Sequence, residues 1–77
     1  MVNLYDEIVT ISKDYLGPAG QRFVDRQIVF HLNKYPQDLK KEDIPKLVEW
    51  VKVTLALFAN DPKAVNECSQ RILQLAT

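Results

Sequence analysis

The chain has 77 residues, of which 47% are hydrophobic and 26% are charged, and its ten basic side chains balance ten acidic ones. Chains of this length form one domain, here residues 1–77, and bury only about 60% of their unfolded surface. The zero net charge argues against a dedicated nucleic-acid binder, which normally carries a basic excess, and the apolar content argues against a disordered chain.

The first predicted element is a helix over residues 4–16. Its apolar side chains recur at i, i+4, i+7 and i+11, which is helical spacing, and Asn3 precedes them as a candidate N-cap. Gly17 is positioned as a left-handed C-cap, and Pro18 suits the first position of the next helix. We therefore expect a tight corner between two helices, with Gly20 allowing them to pack closely.

The second helix is predicted from Pro18 to about Lys34, because the residue before Pro36 is disfavoured in the α conformation. Phe23 and Phe30 lie apart from its main apolar stripe. That main stripe consists of Gly20, Val24, Ile28, His31, Leu32 and Tyr35. Two stripes indicate a helix that packs between two neighbours or presents one stripe to a partner.

The third helix, predicted over about residues 41–59, is the most apolar stretch of the chain. Pro45 must lie in its first turn. One narrow arc of this helix contains Ile44, Leu47, Val48, Val51, Leu55 and Phe58, and a second stripe contains Trp50, Val53 and Leu57. A helix that is apolar around most of its circumference must be buried, so we expect it to be the central helix of the fold.

The fourth helix follows a second sharp break, with Asn60 as C-cap, Asp61 as N-cap and Pro62 at the first helical position. No stretch shows the alternation typical of a strand. Four helices joined by short connections predict an all-α protein, a compact four-helix bundle.

Histidine and cysteine, two residue types that often carry catalysis or bind metal, are scarce in this chain. His31 and Cys68 are the only residues of their types, and each lies on an apolar helix face, so we expect both to be packed side chains. One cysteine allows neither an intrachain disulfide nor a cysteine-based metal cluster. We expect no enzyme activity, no cofactor and no metal.

The location predicted for the chain is the cytoplasm. The start, MVNLYDEIV, lacks the basic region and the apolar core of a signal peptide. The third helix is too short, and carries charge too centrally, to span a bilayer. We therefore expect neither secretion nor insertion in a membrane.

The excess of apolar surface is the main functional signal. Trp and Phe are enriched at protein interfaces, and the candidate contacts with a partner are Trp50, Val53, Leu57, Phe23 and Phe30. These residues predict an interaction or oligomerisation module that forms a homodimer or binds another protein. The alternative is that the domain buries both stripes of its third helix in its own core.

A second functional hypothesis concerns the corner between the first two helices. A helix N-terminus can hold an anion through its free N–H groups and its dipole. The candidate contacts of such an anion- or nucleotide-sensing site are Ala19, Gly20, Arg22 and Arg26, although Asp25 is expected to neutralise the arginines. The corner is neither a P-loop nor a dinucleotide fingerprint. A helix-turn-helix DNA binder ranks third because of the charge balance.

One local motif resembles a known class of proteins. The run Tyr15-Leu16-Gly17-Pro18-Ala19, followed by Phe23-Val24 and Arg26, is similar to the corner of small helical modules that accompany bacterial kinase and receiver domains. The resemblance covers about a dozen of the 77 residues. It implies a regulatory or oligomerising role without an active site.

Overall fold

The computed structural model describes residues 3–58 and 60–76, which form helices and the turns between them, without a strand. The predicted all-α, four-helix architecture is confirmed. Its main helices are α1 (Leu4–Leu16), α2 (Ala19–Arg26), which continues as a π-helical segment (Gln27–His31), α3 (Ile44–Phe58) and α4 (Pro62–Leu73). Short 3-10 turns cover Pro36–Asp38, Lys41–Asp43 and Gln74–Ala76.

Local capping determines both ends of α1. The Asn3 side chain accepts a hydrogen bond of 2.8 Å from the backbone N–H of Asp6, as predicted for an N-cap. At the other end, the Gly17 N–H donates to the Lys13 carbonyl at 2.9 Å. Gly17 has the predicted positive φ of 63°, but its ψ of −144° differs from the expected left-handed helical conformation. It lies near a backbone region that essentially only glycine occupies.

Gly17→Ala is expected to lower the free energy of unfolding by about 1 kcal/mol, because alanine is strained at this backbone conformation. A Cβ at this position would have no neighbour within 4 Å, so backbone strain is the only cost. Urea denaturation measures the change. A variant as stable as the wild type would show that the corner relaxes to another conformation at no cost.

The corner brings α1 and α2 into close contact at Gly20, as the sequence predicted. A Cβ on Gly20 would lie 2.8 Å from the backbone nitrogen of Lys13 and 2.9 Å from the carbonyl carbon of Ser12. The Ser12 side chain is fully buried, and its hydroxyl has no hydrogen-bond partner among the described residues. The absence of a side chain at Gly20 therefore sets the separation of the two helices.

The second helix differs from its prediction at both ends. Pro18 is the N-cap instead of the first helical residue, and the helix ends at His31 instead of near Lys34. Its last turn is a π-helix, in which hydrogen bonds span five residues instead of four. Asn33 then adopts a positive φ of 55°, which asparagine tolerates better than most residues, and this stops the helix before Pro36.

The loop before α3 is anchored by one apolar side chain and one ion pair. Leu39 is buried, and Lys34 Nζ lies 2.7 Å from Asp43 Oδ2. Partial burial raises the pKa of Asp43, but hydrogen bonds from Lys34 and from the Lys40 N–H outweigh it and leave that pKa below its usual value. The loop thus leads into α3 in a defined conformation.

The third helix begins later than predicted, because residues 41–43 form a 3-10 turn and the α-helix starts at Ile44. Pro45 lies in the first turn, as required, and residue 59 is outside the described residues. Five side chains of α3 are buried, the largest such set among the described helices: Ile44, Leu47, Val48, Val51 and Leu55. Phe58, which was predicted to complete this set, is instead 71% exposed.

The helices are arranged in a ring. α1 packs against α2 and α4, and α3 packs against α4 and the π-helical segment. Asp61 caps α4 as predicted, accepting hydrogen bonds from the next backbone N–H groups. Arg71 joins α4 to α1, with one guanidinium nitrogen 2.9 Å from Asp14 and another 3.3 Å from the Tyr15 hydroxyl.

Candidate interaction surface

Three pairs of side chains join α2 and its π-helical segment to α3. The residue numbers of each pair add up to 81, and successive pairs are four residues apart, so the two helices run antiparallel. The pairs are Phe23 with Phe58, Gln27 with Thr54, and His31 with Trp50.

Each pair makes a different kind of contact. The Phe23 and Phe58 rings meet edge to face, with centroids 6.3 Å apart. The Thr54 hydroxyl donates to the side-chain carbonyl of the buried Gln27 at 3.3 Å. The next pair, His31 and Trp50, is stacked at 3.9 Å with only 10° between the ring planes.

The line of contacts divides each helix into a core side and a solvent side. On α3, the buried residues lie on one side of the line. The exposed residues on the other side follow helical spacing (i, i+4, i+7, i+11): Lys46, Trp50, Val53 and Leu57. On the second helix, the exposed stripe beside the line of contacts has helical spacing too (i, i+3, i+7, i+11): Ala19, Arg22, Arg26 and Phe30. Gln21 and Val29 are also exposed but lie outside this stripe.

Because the core sides of both helices face inward, the two exposed stripes lie on the same side of the pair. We call these eight residues, together with Phe58 at the end of the line of contacts, the outer face. Its large apolar residues remain accessible in the described structure: Leu57 is 81% exposed, Phe30 and Phe58 71%, Val53 59% and Trp50 37%. Trp50 is the least exposed of them, and one face of its ring is covered by His31.

Four of the five predicted partner contacts, all but Phe23, therefore lie on one exposed face. Phe23 is only 8% exposed and belongs to the core, so it is not available to a partner in this structure. Phe58 takes the exposed position instead and lies against the Phe23 ring. Periodicity thus predicted the reverse of what the structure has, where Phe23 is buried and Phe58 is exposed. Lys46 was missed, although its spacing from Trp50 and Val53 is visible in the sequence.

A groove of about 310 Å³ lies at the Phe58 end of the outer face. Its lining combines residues of both functional hypotheses: Leu16, Ala19, Arg22, Phe23, Arg26, Gln27 and Phe58. Aromatic and aliphatic groups form most of this lining, and two exposed guanidinium groups belong to it. The arrangement suits a ligand that has both an apolar part and a negative charge.

Two residues around the corner, Gly20 and Asp25, differ from what the anion-site hypothesis expected of them. The Gly20 N–H donates to the Gly17 carbonyl at 2.9 Å, so this amide is already engaged. Asp25 accepts a hydrogen bond from the Tyr5 hydroxyl, and burial, followed by this carboxylate, raises the pKa of Tyr5. Within residues 3–58 and 60–76, neither Arg22 nor Arg26 forms an ion pair.

The chemically reactive residues are packed. Cys68 is buried, and burial raises the pKa of its thiol to about 11, although the Arg71 charge partly opposes the shift. A thiol with such a pKa is almost entirely protonated near neutral pH and is a poor nucleophile. The imidazole of His31 lies against the Trp50 indole.

Another groove, of about 450 Å³, lies between α3 and α4. It is lined by Lys52, Ala56, Asn60, Pro62, Val65 and Asn66. The described part of the chain contains no cluster of three or more His, Cys, Asp or Glu residues that could hold a metal ion. None of the described helices has the length and apolar character that crossing a membrane requires.

Comparisons with known proteins add no assignment to this geometry. No protein-family model matches the chain, and no curated protein or solved structure is significantly similar to it. The resemblance of the Tyr15–Ala19 corner to bacterial signalling modules therefore stays a prediction.

Proposed function

We propose that the chain is a non-enzymatic helical interaction module that buries its outer face against a protein partner or a second copy. The observation that carries this proposal is the exposure of Leu57, Phe30 and Val53 on one side of the α2–α3 pair. Contiguous exposed apolar surface is typical of interaction sites. Burying one such side chain fully stabilises a complex by about 1.5–3 kcal/mol.

The proposal also includes the role, the origin and the cellular compartment of the module. A regulatory role and a bacterial origin are implied by the resemblance at Tyr15–Ala19, and the cytoplasm is the compartment expected from the sequence. The buried, unpaired thiol of Cys68 supports a reducing environment.

Anion or nucleotide sensing at the corner is the second candidate. The observation in its favour is that Arg22 and Arg26 line one groove with Ala19 and have no carboxylate partner among the described residues. The engaged N–H of Gly20 counts against it. Inorganic phosphate that shifts the amide resonances of residues 19–22 would favour this candidate.

The interaction proposal is tested by two measurements on the same protein. Light scattering at several concentrations reports self-association. A displayed library of amphipathic helical peptides, with a fixed apolar stripe and with Glu, Lys, Gln or Ala elsewhere, reports binding of a second chain. We expect at least one of them to show association.

Leu57→Glu is expected to abolish that association, because it would bury an unpaired charge. Trp50→Ala should weaken it by about 2 kcal/mol or more, as central aromatic residues do. Both variants should keep their helical circular dichroism, since neither side chain belongs to the buried core. The proposal is wrong if the wild type stays monomeric and retains no peptide beyond those retained by Leu57→Glu.

A further inference from the structure

The charges on the outer face are all of one sign, although the chain as a whole is neutral. Arg22 and Arg26 lie on the α2 stripe and Lys46 lies on the α3 stripe, and neither stripe contains an acidic residue. The nearest acid on α3, Glu49, is exposed three residues after Lys46 at the edge of the outer face and forms no ion pair among the described residues, so three basic residues stand against one acid there. The local charge, and not the net charge, is what a docking partner meets.

The nearest acid on α2 does not offset the arginines either. Asp25 accepts the Tyr5 hydroxyl hydrogen bond on the side that faces α1. The described residues contain two ion pairs, Lys34–Asp43 and Arg71–Asp14, and both lie outside the outer face. Arg22 and Arg26 are therefore available to an external carboxylate.

We propose that the outer face binds an acidic amphipathic helix of a partner protein. This inference rests on the proposed interaction function and names the chemistry of the partner. The partner helix would place its apolar side chains along the line of contacts between α2 and α3. Its carboxylates would lie beside Arg22, Arg26 and Lys46. Helix-in-groove recognition uses apolar side chains at i, i+3, i+4 and i+7 in this way.

The dimensions of the face suit a helix. Lys46 and Leu57 are eleven residues apart on α3, which corresponds to about 16 Å at 1.5 Å per residue. A helix of three turns covers that length. The groove of about 310 Å³ beside Phe58 offers a concave site for one protruding apolar side chain of that helix.

A second copy of the chain fits this face less well. In a two-fold dimer the same patch faces itself, so two patches with the same basic excess would be brought together. Like charges brought together at an interface disfavour that partner. The same charges attract an acidic helix, and attraction at the rim mainly accelerates association and makes it depend on salt.

The experiment uses the displayed peptide library, whose polar positions contain Glu and Lys at equal starting frequency. Peptides retained by the wild type and not by Leu57→Glu are expected to contain more Glu than Lys. One retained peptide, made without tryptophan, is then titrated against the protein. Trp50 is the only tryptophan in the chain, so its fluorescence reports binding at the face itself.

Charge reversal supplies the decisive comparison. The double variant Arg22→Glu with Arg26→Glu is expected to raise the Kd of the acidic peptide by about tenfold or more, and added salt should weaken wild-type binding. Lys63→Glu on α4, an exposed lysine that lines neither groove, is the control. It should change the Kd less than twofold, on the order of a distant surface charge.

The other possible outcomes distinguish failure of the acidic-partner proposal from failure of the interaction module itself. Retained peptides with no acidic excess, or a double variant that binds as well as the wild type, would overturn the acidic partner but leave the interaction module standing. A concentration-dependent dimer that Leu57→Glu abolishes would also overturn the acidic partner, and it would show that the outer face binds a second copy of the chain. Binding to phosphatidylserine vesicles without any peptide binding would replace the partner helix by a membrane surface. A monomer that binds nothing refutes both proposals.

Discussion

Leu55→Ala should lower the free energy of unfolding by about 2–5 kcal/mol, because it leaves a cavity where a leucine is buried. Leu55 is 1% exposed and belongs to the buried set of α3, the helix that packs against α4 and the π-helical segment. Native proteins have total stabilities of about 5–15 kcal/mol, often less for a domain of this size, so this loss is a large share of the stability of the fold. Urea denaturation followed by circular dichroism measures the loss.

The matched control is Leu57→Ala, the same substitution two residues further along the same helix. Leu57 is exposed in the described structure, so its replacement should change stability by no more than about 0.5 kcal/mol. Equal losses at the two positions would contradict the orientation of α3, because they would mean that both leucines are buried in the isolated chain. That result would also remove the outer face.

Gly20→Ala should be destabilising by about 1–3 kcal/mol, although helix propensity alone predicts the opposite. Alanine is favoured over glycine within a helix by up to about 1 kcal/mol. At this position, however, the new Cβ would approach the α1 backbone at Lys13 to 2.8 Å, and backbone atoms cannot move aside as a flexible side chain can. Overpacking of this kind typically costs about 1–3 kcal/mol. The midpoint of urea denaturation gives the sign.

Arg22→Ala is the control for this substitution, since it changes an exposed position of α2 and leaves the α1 contact intact. Its effect on stability should stay within about 0.5 kcal/mol. If Gly20→Ala proved more stable than the wild type, the two helices would have to separate at almost no cost. The close approach at the corner would then not be what holds α1 and α2 together.

Both ends of α1 and the start of α4 were predictable because their signals are local, whereas the ends of the second helix and the start of α3 were not. Asn3 and Asp61 bond to backbone groups within three residues, and Gly17 supplies a conformation that its neighbours cannot adopt. Each of these effects depends on a few consecutive residues. The π-helical segment was not predicted, since its sequence carries no signal that distinguishes it from an α-helix.

The candidate site was predictable in part. Trp50, Val53 and Leu57 share a stripe because of helix geometry alone, and that stripe is exposed as a whole. Whether Phe23 or Phe58 enters the core depends on how α2 and α3 are aligned, and residues far apart in sequence set that alignment. Periodicity on one helix contains no information about its neighbour, which is why the prediction for these two residues was reversed.

The ring of helices has a consequence for the order in which the fold can assemble. Three of its four contacts join elements that follow one another in the chain, and only the contact of α1 with α4 joins its two ends. Arg71 and Asp14, 57 positions apart, lie at that contact. Loop-closure entropy grows only with the logarithm of loop length, so closing 57 residues costs about 1 kcal/mol more than closing 15. With mostly local contacts the chain belongs among rapidly folding topologies, and docking of its first helix on its last is the one step that must wait for the rest.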